Sequence, residues 1–448
     1  MASRSRRLRQ DDKRYVWHPF TQMQDWLRER HPIVERGEGS TLIDVEGRRY
    51  LDGISSLWVT VHGHRKPAID RAIRAQLRKI AHTTFLGLTH PLAIELAKAL
   101  VRIAPAGLAK VFYSDNGSTA VEIALKMAFQ YWQQQGGRCL RKTRFIAMDE
   151  SYHGDTLGAV SVGGIDLFHR LYRPLLFPTW RVPSPYRAPW DRSRRPDSLG
   201  RLESLLRRRH DRVAGLIIEP LMQAAGGMLP SPPGFLKAVR SLCSRYNVLL
   251  ILDEVATGFG RTGTMFACEQ EGVTPDLLCL AKGITGGYLP LAATLTTQEI
   301  FDRFCAPYGE KKTFFHGHTY TANPLACAAA LANLHCFERE RTLSRLRPKI
   351  AQLRRELESL RSLSHVGDIR QVGFMVGIEL MRDAARGEPY PYESKIGMRT
   401  ILEARRRGLI IRPLGNVIVL MPPLSISSRD LSRMVRIVAD SISAATGR

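Results

Sequence analysis

Four continuous apolar runs, each closed by a polar residue, mark the middle of the chain: TRFIAMD (143–149), VAGLIIEP (213–220), NVLLILDE (247–254) and DLLCLAKG (276–283). Helical stretches lie between several of them. A strand buried on both faces reads as an unbroken apolar run, and alternation of such runs with helices indicates a parallel sheet covered on both sides. Upstream, TLIDVEGRRYLDGISS (41–56) alternates around Leu42, Val45, Tyr50 and Leu51, which predicts a hairpin turning at Glu46-Gly47. Helical patterns occupy 67–80 and 91–103, and Val111–Tyr113 reads as a short strand. From Thr119 onward Val121, Leu125, Ala128, Phe129 and Trp132 fall on one helix face. Thr119 and Glu122 read as a T-x-x-E capping box at its start.

Beyond residue 324, PLACAAALANLHCFERE predicts a long helix. The C-terminal third mixes helices at 341–360, 393–407 and 428–444 with strands in VGFMVGIEL and NVIVLMP, the pattern of a smaller α+β unit. Residues 1–31 read as irregular, and no internal repeat is visible.

Composition narrows the choices. A chain of 448 residues, 44% of them hydrophobic, can bury a core spread over two or three domains. No run of about 18 apolar residues exists, so no membrane span is expected. The N-terminus, MASRSRRLRQDDKRY, lacks the apolar stretch of a secretory signal and reads as a disordered basic tail. Seven scattered cysteines without a CxxC pair argue against a disulfide framework and against a structural zinc or other metal site, and fit a reducing cytoplasm. Sixty-six Lys and Arg against 42 Asp and Glu give a net charge of +24. The basic residues are dispersed among acids, with no stripe interleaved with aromatics. A solvated surface is therefore expected, rather than a nucleic-acid site.

Candidate chemistry centres on LLILDEVATGFGRTG (249–263), which contains G-x-G-x-x-G at Gly258, Gly260 and Gly263. A dinucleotide fingerprint turns directly from strand into helix, with an acid about 20 residues further on. Here Asp253-Glu254 separates the strand from the glycines, no clean helix follows, and Lys282 stands where the acid would be. The alternative pairs two strand ends, Asp253 and Lys282. Ligands of open α/β sheets sit at the carboxyl ends of parallel strands. A lysine and an aspartate there suit pyridoxal phosphate, which forms a Schiff base with the amine and has its ring nitrogen held protonated by the acid. Asp115-Asn-Gly117-Ser118-Thr119 runs straight into a helix and offers a phosphate cradle. Simple N-capping explains Ser118 and Thr119 equally well.

With these residues in place, the chain resembles the class III pyridoxal phosphate-dependent aminotransferases of fold type I over residues 14–445. The resemblance is carried by LLILDEVATGFGRTGTMFACEQEGVTPDLLCLAKGITGG. More narrowly, WHPFTQM (17–23), SSLWVTVHGHRKP (55–67), SYHGDT (151–156), FFHGHTYTANPLACAAA (314–330) and IIRPLGNVIVLMPP (410–423) resemble one branch of that family. That branch converts 8-amino-7-oxononanoate to 7,8-diaminononanoate in biotin biosynthesis. The resemblance implies an α/β fold: a large domain with a mostly parallel seven-stranded sheet between helices, and a smaller α+β domain. It divides the chain into an N-terminal segment that joins the small domain and lids the site (1–66), a large cofactor-binding domain (67–335) and a C-terminal small domain (336–448). It further implies a cytoplasmic homodimer with shared active sites, acting on small molecules and on neither nucleic acid nor membrane.

The resemblance also implies roles. Lys282 would bind the cofactor and shuttle a proton, and Asp253 would pair with the ring nitrogen. Gly117 and Ser118 would hold the phosphate, joined by His318 and Thr319 from across the dimer interface. Tyr152 would stack on the ring, and Gln223 would contact its O3′. Arg412 would clamp a substrate carboxylate, while Gly317 and Trp58 would line the substrate pocket. Phe20 and Leu57 stand where the S-adenosylmethionine-using members carry Tyr and Trp. The amino donor thus stays open between S-adenosylmethionine and L-lysine. Another ω-aminotransferase, acting on diamines or ω-amino acids, is the alternative reading.

Overall fold

A computed structural model describes residues 2–189 and 197–447. Strands are numbered along the chain. β1 (Val34–Glu38), β2 (Thr41–Asp44) and β3 (Arg49–Asp52) form an antiparallel meander. β4 (Leu108–Ser114), β5 (Arg144–Met148), β6 (Thr179–Val182) and β7 (Val213–Ile218) follow. A two-residue ladder, β8 (Met222–Gln223) and β9 (Leu229–Pro230), precedes β10 (Leu249–Asp253), β11 (Leu277–Leu280) and β12 (Ala292–Thr297). The C-terminal part holds β13 (Val366–Val372), β14 (Met375–Asp383), β15 (Glu388–Pro389), β16 (Leu409–Ile410), β17 (Arg412–Leu414) and β18 (Val417–Leu420).

The central sheet has seven strands in the order β4-β12-β11-β10-β7-β5-β6. The four apolar runs of the sequence are β5, β7, β10 and β11, side by side and parallel in its middle. β12 alone runs antiparallel to both of its neighbours. Its sequence, AATLTT, has no continuous apolar run, because buried Thr294 and Thr296 satisfy their hydroxyls on Ala120 O and Asp276 O. The fold class expected from the sequence is therefore the one observed.

The helix Gly117–Gln133 begins two residues before the expected Thr119. Its N-cap is Asn116, whose side chain takes the N–H of Thr119, while the Thr119 hydroxyl accepts the Asn116 N–H. The capping box is thus Asn116/Thr119, not Thr119/Glu122. Glu122 instead reaches across to the N–H groups of Gly158 and Ala159, at 2.8 and 3.3 Å.

Two further expectations are corrected. The N-terminal residues are not irregular: Ala2–Tyr15 and Met23–Arg28 are helical. The first helix lacks an apolar face and is anchored by polar groups. Glu46 gathers Ser5, Arg9, Arg30 and Arg48, and the Ser5 and Arg9 bonds hold its carboxyl down at about 2. VGFMVGIEL is a strand only from Met375, where β14 begins: its first residue ends β13, and the chain reverses at Gly373 with φ +61°. A Cβ there would lie 2.4 Å from Arg261 O.

β3 pairs in parallel with β16, Leu51 opposite Leu409, so the N-terminal meander and the C-terminal region share one sheet. β13, β14, β18 and β17 make another, with β15 on β14.

Candidate active site

β10 and β11 are adjacent and parallel, and Asp253 and Lys282 sit at and just beyond their carboxyl ends. Both line one cavity of about 460 Å³. Lys282 opens a short 3₁₀ turn with φ +46°, a strained conformation for a side chain of this size. The fully buried Asn333 secures that turn by donating to Gly283 O and Ile284 O at 2.9 and 3.0 Å. Burial pushes the Lys282 amine below the usual lysine range, against the pull of Asp253 and Glu219 and with help from Arg261.

Asp253 is fixed from two sides. Val255 N–H bonds its Oδ1 at 3.0 Å, and His153 Nδ1 its Oδ2 at 2.8 Å. His153 is buried, and its Nε2 has no hydrogen-bond partner among the described residues. Glu219 lines the same cavity and accepts the N–H groups of Tyr152 and Ala224 at 3.1 and 3.0 Å. Burial raises its carboxyl to about 7, with His153 opposing and Asp253 assisting.

At the other end lies the start of helix Gly117–Gln133. The first N–H groups of a helix have no intrahelical partner and attract anions. Gly117 is needed there, since a Cβ would meet Val255 Cγ1 at 2.6 Å. Gly154, at φ +126°, leaves room for Ser118: an added Cβ would sit 2.1 Å from its Oγ. Asp155 N–H donates to that Oγ at 3.1 Å, which leaves the hydroxyl proton for a ligand. Tyr152 lines the cavity between the two ends and donates its hydroxyl to Asp155 Oδ2 at 2.7 Å.

Trp58 closes the cavity, 6% exposed, with its ring 4.8 Å from Lys282 Nζ and its indole N–H unpartnered among the described residues. Arg412 lies 5.9 Å over the Phe20 ring and makes no ion pair among the described residues. Burial lowers its pKa, with Tyr152 opposing. Phe20 meets Phe168 edge-on at 5.4 Å, and Phe168 meets Tyr152 at 6.3 Å. Phe20, Arg412 and Tyr152 thus gather at one mouth of the site. Leu57, beside Trp58, is about half exposed.

Other expected residues are not brought in. Gln223 is buried away from the cavity, with its amide donating to Asp149 O at 2.8 Å and its carbonyl taken by Ser184. Glu219 occupies the position facing the site instead. Gly317 and Thr319 are exposed on a loop. His318 on that loop approaches Asp115 of its own chain, Nδ1 to Oδ2 2.6 Å, and Asp115 lines the cavity. Glu219 is the site residue that sequence reasoning passed over, and His153, which in sequence reads equally as structural or catalytic, lines the cavity. Glu219 carries the same signal as Asp253, a carboxylate closing a buried parallel strand. The glycines of G-x-G-x-x-G form a packed turn: a Cβ on Gly260 would meet Leu424 Cδ1 at 2.7 Å, which leaves no room for a nucleotide.

An amine and an anchored carboxylate on neighbouring strand ends, and a glycine-opened helix start facing them, form a donor set suited to pyridoxal phosphate. Among the described residues no group of three or more His, Cys, Asp or Glu is placed to hold a metal ion, and no helix is long and apolar enough to cross a membrane.

Comparison with known proteins agrees. The family described as aminotransferase class-III matches residues 23–442. A relative from Nitratidesulfovibrio vulgaris, named adenosylmethionine-8-amino-7-oxononanoate aminotransferase, is 57% identical over 99% of this chain and 83% of its own length. A protein of the same name from Geobacter sulfurreducens is 54% identical over 98% of each chain. The crystal structure of the enzyme so named from Methanocaldococcus jannaschii superposes with a TM-score of 0.94, at 46% identity, over 98% of this chain and 99% of that one. An amine transaminase from an uncultivated Pseudomonas species, solved in its PLP-bound form, gives a TM-score of 0.88 at 37% identity, over 97% and 98% of the two chains. By its fold, its site and these relatives, the chain belongs to the class-III aminotransferase family.

Proposed function

We propose that this aminotransferase converts 8-amino-7-oxononanoate to 7,8-diaminononanoate, with pyridoxal 5′-phosphate as cofactor and S-adenosylmethionine as amino donor. The observation that carries the chemistry is the convergence of Lys282, Asp253 and the Gly117-Ser118 helix start on one cavity. The substrate assignment is supported by relatives named for that acceptor at 54–57% identity over nearly the whole chain. Arg412 supports it too, since a half-buried guanidinium with no carboxylate partner among the described residues calls for an anionic ligand such as the acceptor's carboxylate.

When bound, pyridoxal phosphate supplies an electron-withdrawing ring that stabilises negative charge on the substrate carbon beside the transferred nitrogen. The protein's residues do the rest. Lys282 Nζ, inclined to neutrality by burial, would take the proton from that carbon and pass it to the cofactor carbon that bears the transferred nitrogen, and in the second half-reaction it would move a proton the opposite way, onto the acceptor's carbon. Asp253, oriented by Val255 and His153, would be the carboxylate partner of the ring nitrogen. Ser118 and the first helical N–H groups would hold the phosphate, Tyr152 would cover the ring, and Trp58, 4.8 Å from Lys282 Nζ, would exclude water there. Phe20 and Leu57 favour a second donor reading, L-lysine, because neither offers the hydroxyl or the stacking area suited to a large polar donor.

A cytoplasmic homodimer is part of the proposal. It is supported by seven unpaired cysteines and by exposed apolar side chains on adjacent segments, Leu86, Phe315 and Tyr320. The division at 66/67 is supported by β3 joining β16, which ties the N-terminal segment to the C-terminal region, whereas 335/336 falls within the unbroken helix Pro324–Arg339. Half-reactions test the function. The purified protein is mixed with each donor alone, and the absorbance of the lysine-bound cofactor is followed. S-adenosylmethionine should bleach it, and 8-amino-7-oxononanoate should restore it. Failure of the oxononanoate to restore it, where a simple diamine's aldehyde does so, would replace this reading with that of a diamine transaminase.

A further inference from the structure

Arg261, within the glycine turn after β10, is only 1% exposed, yet no carboxylate lies within ion-pair distance of it among the described residues. A buried guanidinium is costly unless its N–H groups are used. Both terminal nitrogens are used on remote carbonyls, Nη2 donating to Thr60 O at 2.9 Å and Nη1 to Pro422 O at 2.8 Å, while Nε has no partner among the described residues. Its own carbonyl accepts Phe374 N–H at 2.8 Å, from the β13–β14 turn. One residue therefore joins the N-terminal segment and two C-terminal segments beneath the cavity.

The segment gripped at Thr60 is strained. Ser55, Ser56 and Trp58 have φ of +52°, +62° and +66°, which non-glycine residues adopt only when the surroundings impose it. Its start is tied by the Asp52 carboxylate, which accepts Ile54 and Ser56 N–H, and by Ser55 Oγ donating to Met421 O at 2.6 Å. Its far end is held by Arg261. Trp58 stands between the two anchors, against Lys282.

We propose, resting on the reading of Lys282 as the cofactor lysine, that Arg261 is a positioning residue: it clamps the Ser55–Thr60 strap so that the Trp58 ring stays closed over Lys282. Its charge acts in the same place. Of the groups facing Lys282, Asp253 and Glu219 favour the ammonium form and Arg261 opposes it.

Two variants separate the geometry from the charge. Arg261→Lys keeps the charge but cannot fork to both carbonyls, and Arg261→Met loses both. In the cofactor-free protein, the pH dependence of Lys282 acylation is read by peptide mass spectrometry. Its midpoint should rise by roughly half a unit or more in Arg261→Met and stay near wild type in Arg261→Lys. In the holoenzyme, Arg261→Lys should raise KM for 8-amino-7-oxononanoate about tenfold with a smaller change in kcat. In a Trp58→Ala background the same substitution should change KM by less than about threefold, because coupled residues are not additive. Independent, multiplying effects of Arg261→Lys and Trp58→Ala would overturn the proposal, and so would an unmoved midpoint in a folded Arg261→Met protein. If Arg261→Met does not fold, the Arg261→Lys cycle decides. The acylation midpoint needs neither substrate nor cofactor, so it remains informative even if the substrate assignment fails.

Discussion

At the residue scale the site makes sharp demands. Lys282→Ala should lower turnover by ~10³-fold or more and remove the lysine-bound cofactor band, because it deletes both the attachment point and the base. Asp253→Asn should leave the fold intact and lower kcat by ~10²-fold, which steady-state kinetics would show, since the ring loses its anionic partner. Gly154→Ala should weaken cofactor binding by about tenfold or more in equilibrium dialysis, as its Cβ would press on Ser118 Oγ from 2.1 Å. Asp253 and Lys282 were legible because each closes an unbroken apolar run, and a polar residue there has nowhere to point except into the crevice. The same rule applied to VAGLIIEP would have chosen Glu219. Gln223, four residues later, sits on the short β8–β9 ladder, whose course no periodicity in a two-residue strand can announce.

At the element scale, patterns with an apolar face were readable and those without one were not. The helix Gly117–Gln133 buries nine residues on one side and was visible. The helix Ala2–Tyr15 has a strongly polar composition and is held by Glu46, some 30 residues beyond it, so local sequence could not reveal it. β12 escaped for a related reason, its threonines paired to carbonyls on neighbouring elements. Buried His62 illustrates how such tertiary partners set pH dependence. It contacts Asn333 O at 3.2 Å and lies edge-on to Phe337, and burial lowers its pKa to about 4. The unfolded chain binds that proton more readily than the folded one between about 6.5 and 4. Stability from this residue is therefore fully present above 6.5 and is lost as pH falls through the window, by up to ~3 kcal/mol. His62→Gln retains a donor for the carbonyl and does not titrate. Its melting temperature should fall less steeply than that of the wild type between pH 6.5 and 4.

At the scale of the whole molecule, composition excluded more than it identified. The charge of +24 spreads over exposed helices, many of its arginines in local pairs such as Arg406 and Arg407 with Glu403. The expectation of paired subunits belongs here. Asn323 bonds Ala81 O at 3.3 Å and Tyr320 lies 4.8 Å from His82, which brings the segments bearing Leu86, Phe315 and Tyr320 together. Exposed apolar side chains on neighbouring segments are what a subunit contact would cover. Tyr320→Asp should shift sedimentation toward the monomer and reduce cofactor retention, whereas unchanged sedimentation would place the interface elsewhere.

The parallel pairing of β3 with β16 has a consequence for synthesis. Leu51 must wait for Leu409, more than 350 residues behind it on the ribosome, before that sheet edge is covered. Until then the nascent meander exposes unpaired backbone of the kind that recruits other chains. Termination between Thr297, where the last strand of the central sheet ends, and Leu409 would release a product with a completed central sheet and an open edge. Such truncated products should be found with chaperones or in aggregates, and the protein should gain catalytic competence only after β16 has left the exit tunnel.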